Sequence, residues 1–220
     1  MNANEPALLA RLHWLGHDSY RIDGPMVIYI DPWQLPVDSP PADLILVSHD
    51  HYDHCSEEDI ARIRKDSTRV IANPSAAEKI TPPVTVLRVG ETARVGEVEL
   101  VAVPAYNLDK SFHPKANGHI GFRIMLDGEC LYFAGDTDHI PEMQGLQCDV
   151  ALLPVSGTYV MTAEEAAQAA ETIRPRLAIP MHYGAGVVGT VEDAQRFGRL
   201  TSVPVVILED EGRPRGETSG

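Results

Sequence analysis

The chain has 220 residues, 44% of them hydrophobic, enough for one sizeable core and better suited to one large domain than to two small ones. Its formal net charge of −14 repels nucleic-acid phosphate and anionic lipid, which argues against nucleic-acid binding but leaves room for one small anionic substrate held at a metal. No apolar stretch approaches the ~20 residues a bilayer span needs, and residues 1–6 lack the basic and apolar regions of a signal peptide. Three cysteines, Cys55, Cys130 and Cys148, occur without C-x-x-C spacing, so reduced thiols in a cytoplasmic setting are expected rather than a disulfide framework. Residues 211–220 carry almost no apolar side chains and are expected to form a mobile tail, leaving a single domain over residues 1–210.

Strand-like runs at residues 9–14 and 20–22 flank a turn containing Gly16 and Asp18, and residues 26–30 follow the turn signal Gly24-Pro25. The continuous apolar run 44–47 predicts a strand buried on both faces. Ser56 and the acidic residues after it predict a capped helix continuing through Ile63, with a strand beginning at Val70. Strand signals return at 84–89 and 98–103. Residues 120–125 and 130–133 flank Asp127-Gly128, a strong hairpin signal. A buried strand is expected at 150–153. Thr162 and Glu165 form a capping box for a helix to about Ile173. A strand at 177–179, a helix from Thr190 through Phe197 and a last strand at 203–208 complete the chain. Meanders followed by β-α-β, twice over, predict an α/β protein of two sheets with helices on their outer faces.

The run His49-Asp50-His51-Tyr52-Asp53-His54 places three imidazoles and two carboxylates directly after an apolar strand. Clustered imidazoles repel one another when protonated, and a divalent cation removes that problem, since neutral imidazole and carboxylate are the ligands that zinc, manganese or iron accept. His49 and His51 are two apart and project to the same side of an extended segment, so they can share one ion. Asp53 and His54 lie further round the turn and can address a second. Two ions ~3.5–4 Å apart are the usual arrangement for in-line hydrolysis. One loop rarely completes two sites, and matching positions after other strands supply Asp136, following Gly135, and His182, following the run 177–181. Asp136 has two oxygens with which to bridge two ions. Cys55 is also a candidate ligand; a thiol packed at the strand-to-helix junction is the simpler reading.

This set resembles the metallo-β-lactamase superfamily, whose metal loop follows H-x-H-x-D-H. His49, His51, Asp53 and His54 meet that pattern in full, and Gly135-Asp136-Thr137 and Pro180-Met181-His182-Tyr183 match later motifs. Leu15-Gly16-His17 and residues 151–157 look like the compact branch that includes the ascorbate-6-phosphate lactonases and, more distantly, N-acylphosphatidylethanolamine phospholipase D. The resemblance implies a four-layer αββα sandwich. It also implies one or two divalent ions, zinc foremost with manganese or iron as alternatives. Asp31 matches an acidic residue that supports the metal loop rather than binding metal. One departure matters: the family's further histidine after the strand at 98–103 is replaced by Tyr106. His113, in an irregular polar loop, is the favoured substitute, against the reading that it only stabilises that loop. His119 and His13 read as structural and His139 as peripheral. His17 sits in the first hairpin turn and is a candidate for substrate contact or acid catalysis, against a packed turn histidine.

The reaction so implied is hydrolysis of an ester, lactone or phosphodiester of a small substrate. A divalent cation lowers the pKa of water from 15.7 to ~7, and Asp53 would orient the nucleophile or take its proton. The G-x-S-x-G elbow of serine hydrolases is absent. Iron-dependent oxygen or sulfur chemistry on the same fold and a non-catalytic metal-binding module are the competing readings. The sequence leaves self-association open.

Overall fold

The computed structural model describes residues 5–212. Two six-stranded sheets account for most of its regular structure. The first contains β1 (Leu12–Trp14), β2 (Tyr20–Ile22), β3 (Ile28–Ile30), β4 (Leu44–Val47), β5 (Arg69–Ala72) and β6 (Thr85–Val86), in that spatial order. The helices α1 (Glu57–Ile63) and α2 (Pro74–Ala77) flank β5 in the chain. The second sheet contains β7 (Thr92–Val95), β8 (Val98–Pro104), β9 (Ile120–Leu126), β10 (Glu129–Phe133), β11 (Val150–Pro154) and β12 (Leu177–Met181), again in chain order. Between β11 and β12 runs α3 (Ala163–Ile173), and α4 (Val191–Leu200) follows β12.

Side-chain alternation assigns the layers. On β4, Leu44 and Leu46 enter the core shared by the two sheets, while Ile45 and Val47 pack with Ile60 and Ile63 of α1 and Ala76 of α2. β3 and β5 divide in the same way: Ile30 and Ile71 face the shared core, Tyr29 and Val70 the helices. Ala166, Ala170 and Ile173 of α3 and Phe197 of α4 join the residues of the second sheet in the larger core. The result is the αββα sandwich.

The helix signals behave as their chemistry dictates. Ser56 Oγ accepts from the Asp59 N–H at the start of α1. At α3, the Thr162 hydroxyl accepts from Glu165 N–H while the Glu165 carboxylate accepts from Thr162 N–H. Asp127 and Gly128, with φ of 52° and 81°, make the tight turn joining β9 to β10.

Three expectations are corrected. Residues 7–11 form a short 3-10 helix before β1 rather than the start of a strand, because the Glu129 carboxylate of β10 accepts the Ala7 and Leu8 N–H groups. The strand expected at 84–89 shrinks to Thr85–Val86 at the sheet edge. Residues 203–208 run beside β12 but make one isolated bridge, Ala178 with Val205; Pro204 has no N–H to extend the ladder. β7 and α2 carried no recognised signal. β7 alternates exposed and half-buried residues along its length, and α2 is a single turn capped by Asn73. Of the tail, Glu211 donates its N–H to the Trp14 carbonyl, and residues 213–220 lie outside the described residues. No helix among the described residues is long and apolar enough to cross a membrane.

Candidate metal centre

β3, β4 and β5 run parallel, as do β10, β11 and β12, so in each set the carboxyl ends share one edge. The residues after those ends meet there. The loop after β4 brings His49, His51, Asp53 and His54; the segment after β10 brings Asp136; β12 ends beside His182; and β3 ends at Asp31. The connection from β8 to β9 adds His113, and the β1–β2 turn adds His17 and Asp18.

Two groups of donor atoms gather around Asp136. In the first, His49 Nε2 and His51 Nδ1 lie 3.1 Å apart, and His113 Nε2 is 3.2 Å from His51 Nδ1. Asp136 Oδ2 is 3.2 Å from His113 Nε2 and 3.9 Å from His49 Nε2. In the second, His54 Nε2 is 3.3 Å from Asp136 Oδ1, and His182 Nε2 is 3.3 Å from Asp136 Oδ2. One carboxylate therefore separates two sets of imidazoles. Each set can hold an ion, with donor atoms within 4.8 Å of one another.

The opposite ring nitrogens are held by oxygen atoms. His49 Nδ1 meets Ser48 Oγ at 2.9 Å, His54 Nδ1 meets Asp31 Oδ2 at 2.8 Å, His182 Nδ1 meets Ser156 Oγ at 2.8 Å and His113 Nδ1 meets the Tyr159 carbonyl at 3.2 Å. Such partners fix ring orientation and tautomer, leaving the inner nitrogen free to ligate. Asp31 also accepts from Ser48 N–H and Ser48 Oγ, so it braces the loop from beneath. His17, Asp31 and His182 all adopt positive φ, at 52°, 44° and 62°. Strain of this kind persists where surrounding structure over-determines it, and functional sites collect it.

The donor set fits a cation. His54 Nε2 and Asp136 Oδ1 are buried without a hydrogen-bond partner, as are both carboxylate oxygens of Asp18. Buried polar atoms left this way cost several kcal/mol. Asp18 is fully buried, 3.8 Å from His54 Nδ1, and groups with His54, Asp136 and His182. Burial drives its pKa well up, and His182 and His54 oppose that rise. In the sequence Asp18 reads only as a turn residue; its place directly after His17 is the available signal.

Asp53 lines the cleft above these groups, and its Oδ2 is 3.1 Å from His17 Nε2. Burial works to raise the Asp53 pKa, but the His17 hydrogen bond and the nearby His54 pull it down to about 2. His17 lies behind Asp53, fully buried and with its ring centroid 4.2 Å from that of His182 in a tilted contact, its pKa lowered to about 4 chiefly by burial. Its carbonyl accepts from Trp14 Nε1 and from His182 N–H, which pins the turn to β12.

The remaining candidates lie outside the two groups. Tyr106 turns away, its hydroxyl donating to Glu142 at 2.8 Å beneath the Lys115 ammonium. His119 stacks on His49 at 4.7 Å. His13 sits between Asp23 and Glu211, and His139 pairs with Thr172 Oγ1. Cys55 is buried, with its thiol pKa pushed up to about 12 mainly by burial, and is in neither group.

Sandwich and site together define the metallo-β-lactamase class. The β-lactamase superfamily domain model matches residues 11–182. A UPF0173 metal-dependent hydrolase of Pyrococcus furiosus is 36% identical, with 91% of this chain and 97% of that protein aligned. Another from Archaeoglobus fulgidus is 32% identical, over 79% of this chain and 83% of that protein. Among solved structures, a candidate metal-dependent hydrolase from Parabacteroides distasonis superposes with a TM-score of 0.80 at 31% identity, over 90% of this chain and 93% of that one. The metallo hydrolase Igni18 from Ignicoccus hospitalis gives 0.71 at 25% identity, over 90% and 94%. The chain belongs to the β-lactamase superfamily and, within it, to the UPF0173 family of metal-dependent hydrolases.

Proposed function

We propose that the protein hydrolyses an ester, lactone or phosphodiester of a small molecule at a two-ion centre. In this reading His49, His51 and His113 would hold one ion and Asp53, His54 and His182 a second, with the Asp136 carboxylate available to both. The observation that carries the proposal is the convergence of five inner imidazole nitrogens on the single buried carboxylate of Asp136. An imidazole-rich set with carboxylates suits zinc, which we propose as the resident metal.

Divalent ions held there would supply Lewis acidity and a nucleophilic hydroxide near neutral pH. The chain's own groups do the rest. Asp53, ionised and lining the cleft, orients the nucleophile and takes its proton at Oδ1, since Oδ2 accepts from His17 Nε2. His17 Nε2 donates to Asp53 and holds that carboxylate in place, so we assign it a positioning role. Ser48, Asp31, Ser156 and the Tyr159 carbonyl keep the imidazoles aimed inward. The three free cysteines suit a reducing, cytoplasmic compartment.

Metal analysis joined to an ester, lactone and phosphodiester panel tests the reading. Asp53→Ala and His51→Ala are expected to lose most turnover while keeping a wild-type circular dichroism spectrum. Undiminished turnover by protein shown to be metal-free sinks it.

A further inference from the structure

Resting on that hydrolase reading, we infer that the substrate is an uncharged ester or lactone bearing an apolar or aryl group, selected by aromatic side chains at the mouth of the cleft. The cleft above Asp136 has a volume of about 250 Å³. Pockets for drug-sized ligands run to roughly 300–1,000 Å³, so the occupant is small. Its floor is His51, Asp53, His113 and Asp136, and its walls are Tyr52, Phe112, Tyr159 and Val187.

Those walls are aromatic and uncompensated. Phe112 meets Tyr159 edge-on with ring centroids 4.6 Å apart, and Tyr52 meets Trp33 edge-on at 5.9 Å. Tyr52 is 68% exposed and Phe112 47%. Large apolar side chains left open beside a buried polar site mark a surface that something else covers. Their positions are tied to the centre: Tyr52 lies between His51 and Asp53, Phe112 precedes His113, and the Tyr159 carbonyl holds His113 Nδ1. A group seated between them is therefore in register with the inner donors.

No lysine or arginine lines the cleft. Lysines on neighbouring segments are engaged elsewhere. Lys110 Nζ is 2.7 Å from Asp138 and 3.2 Å from Asp109, Lys79 Nζ is 2.7 Å from Asp50, and Lys115 Nζ is 2.7 Å from Glu142. A phosphorylated or carboxylated tail would meet aromatic faces and the Asp53 carboxylate. A phenyl or alkyl tail would gain edge and face contact with the Tyr52, Phe112 and Tyr159 rings.

Two p-nitrophenyl esters of similar size separate these outcomes: the butanoate, with a neutral chain, and the hemisuccinate, with a terminal carboxylate. The zinc-loaded full chain should favour the butanoate in kcat/KM by about tenfold, a margin within reach of one well-placed apolar contact. A binding measurement needs no turnover. By calorimetry, benzohydroxamate should bind the zinc-loaded protein about tenfold more tightly than acetohydroxamate, and Phe112→Ala should erase most of that ratio without changing zinc content. Equal affinities for the two hydroxamates, or preference for the hemisuccinate, overturn the inference while leaving the hydrolase reading standing. No turnover of any ester, lactone or phosphodiester at full zinc occupancy overturns the hydrolase reading, and the hydroxamate ratio still judges the walls.

Discussion

Two residues at the centre differ most in how openly the chain advertises them. His113 sits far along the chain from His51, yet its Nε2 lies 3.2 Å from His51 Nδ1. His113→Ala is expected to release about one of two bound metal equivalents, measured by elemental analysis, with the fold intact. Asp18 places a second buried carboxylate beside Asp136, with neither oxygen hydrogen-bonded and its Oδ2 3.8 Å from His54 Nδ1. Asp18→Asn should lower the chelator concentration that half-empties the protein, because a cation shared by two carboxylates loses one of them. The loop from His49 to His54 was readable because its ligands are packed into six consecutive residues. His113 was readable only as one of two alternatives, since loop conformation decides which histidine folds back. Here Asn107 Oδ1 accepts the His113 N–H while its amide donates to Asp138 and to the Tyr159 carbonyl, and no spacing rule anticipates that clamp.

Regular elements position the site through close backbone approach. A Cβ on Gly121 of β9 would lie 2.5 Å from the Phe133 carbonyl oxygen and 2.6 Å from that of Ala134, both backbone atoms just before Asp136. Gly121→Ala should destabilise the protein by about 1–3 kcal/mol in urea unfolding and weaken metal retention as well, because the strand end carrying Asp136 must shift. Thr162→Ala removes the side-chain cap of α3 while leaving its backbone bridge to Ser156 in place, and should cost about 1 kcal/mol with metal content unchanged. The pair separates damage to the sheet edge from damage to the fold in general. Elements with local chemistry, such as the α3 capping box and the Asp127-Gly128 turn, were legible from the sequence. Elements set by tertiary partners were not: the Glu129 carboxylate winds residues 7–11 into a helix, and Pro204 limits the segment beside β12.

On the scale of the whole molecule, the centre concentrates charge inside an acidic protein. Burial alone would lower the pKa of His54 and of His182, but Asp136, aided by Asp31 and Asp18 at His54 and by Asp18 at His182, holds both raised. In the metal-free protein their protons contribute stability below the unfolded value near 6.5, and that stability is lost as pH rises through the folded values. An incoming cation must displace those protons. Metal affinity should therefore rise with pH through neutrality, and calorimetry in buffers of different ionisation enthalpy should detect protons released on binding. Equal binding heats across such buffers would contradict this charge arrangement.

The order of strands in the two sheets has one more consequence. Every named strand of the first sheet precedes every strand of the second in the chain, so β6 leads to β7 through residues 87–91, and only residues 210–211 return to the first sheet, beside Trp14. The donors divide at the same crossing: His49, His51, Asp53 and His54 come before it, His113, Asp136 and His182 after. Ions held by the proposed donors would act as rivets between two halves of the polypeptide, closing a loop of 62 residues between His51 and His113 alone. Cut at the crossing, the halves would have a built-in reason to find each other, and uptake of metal would report their reunion.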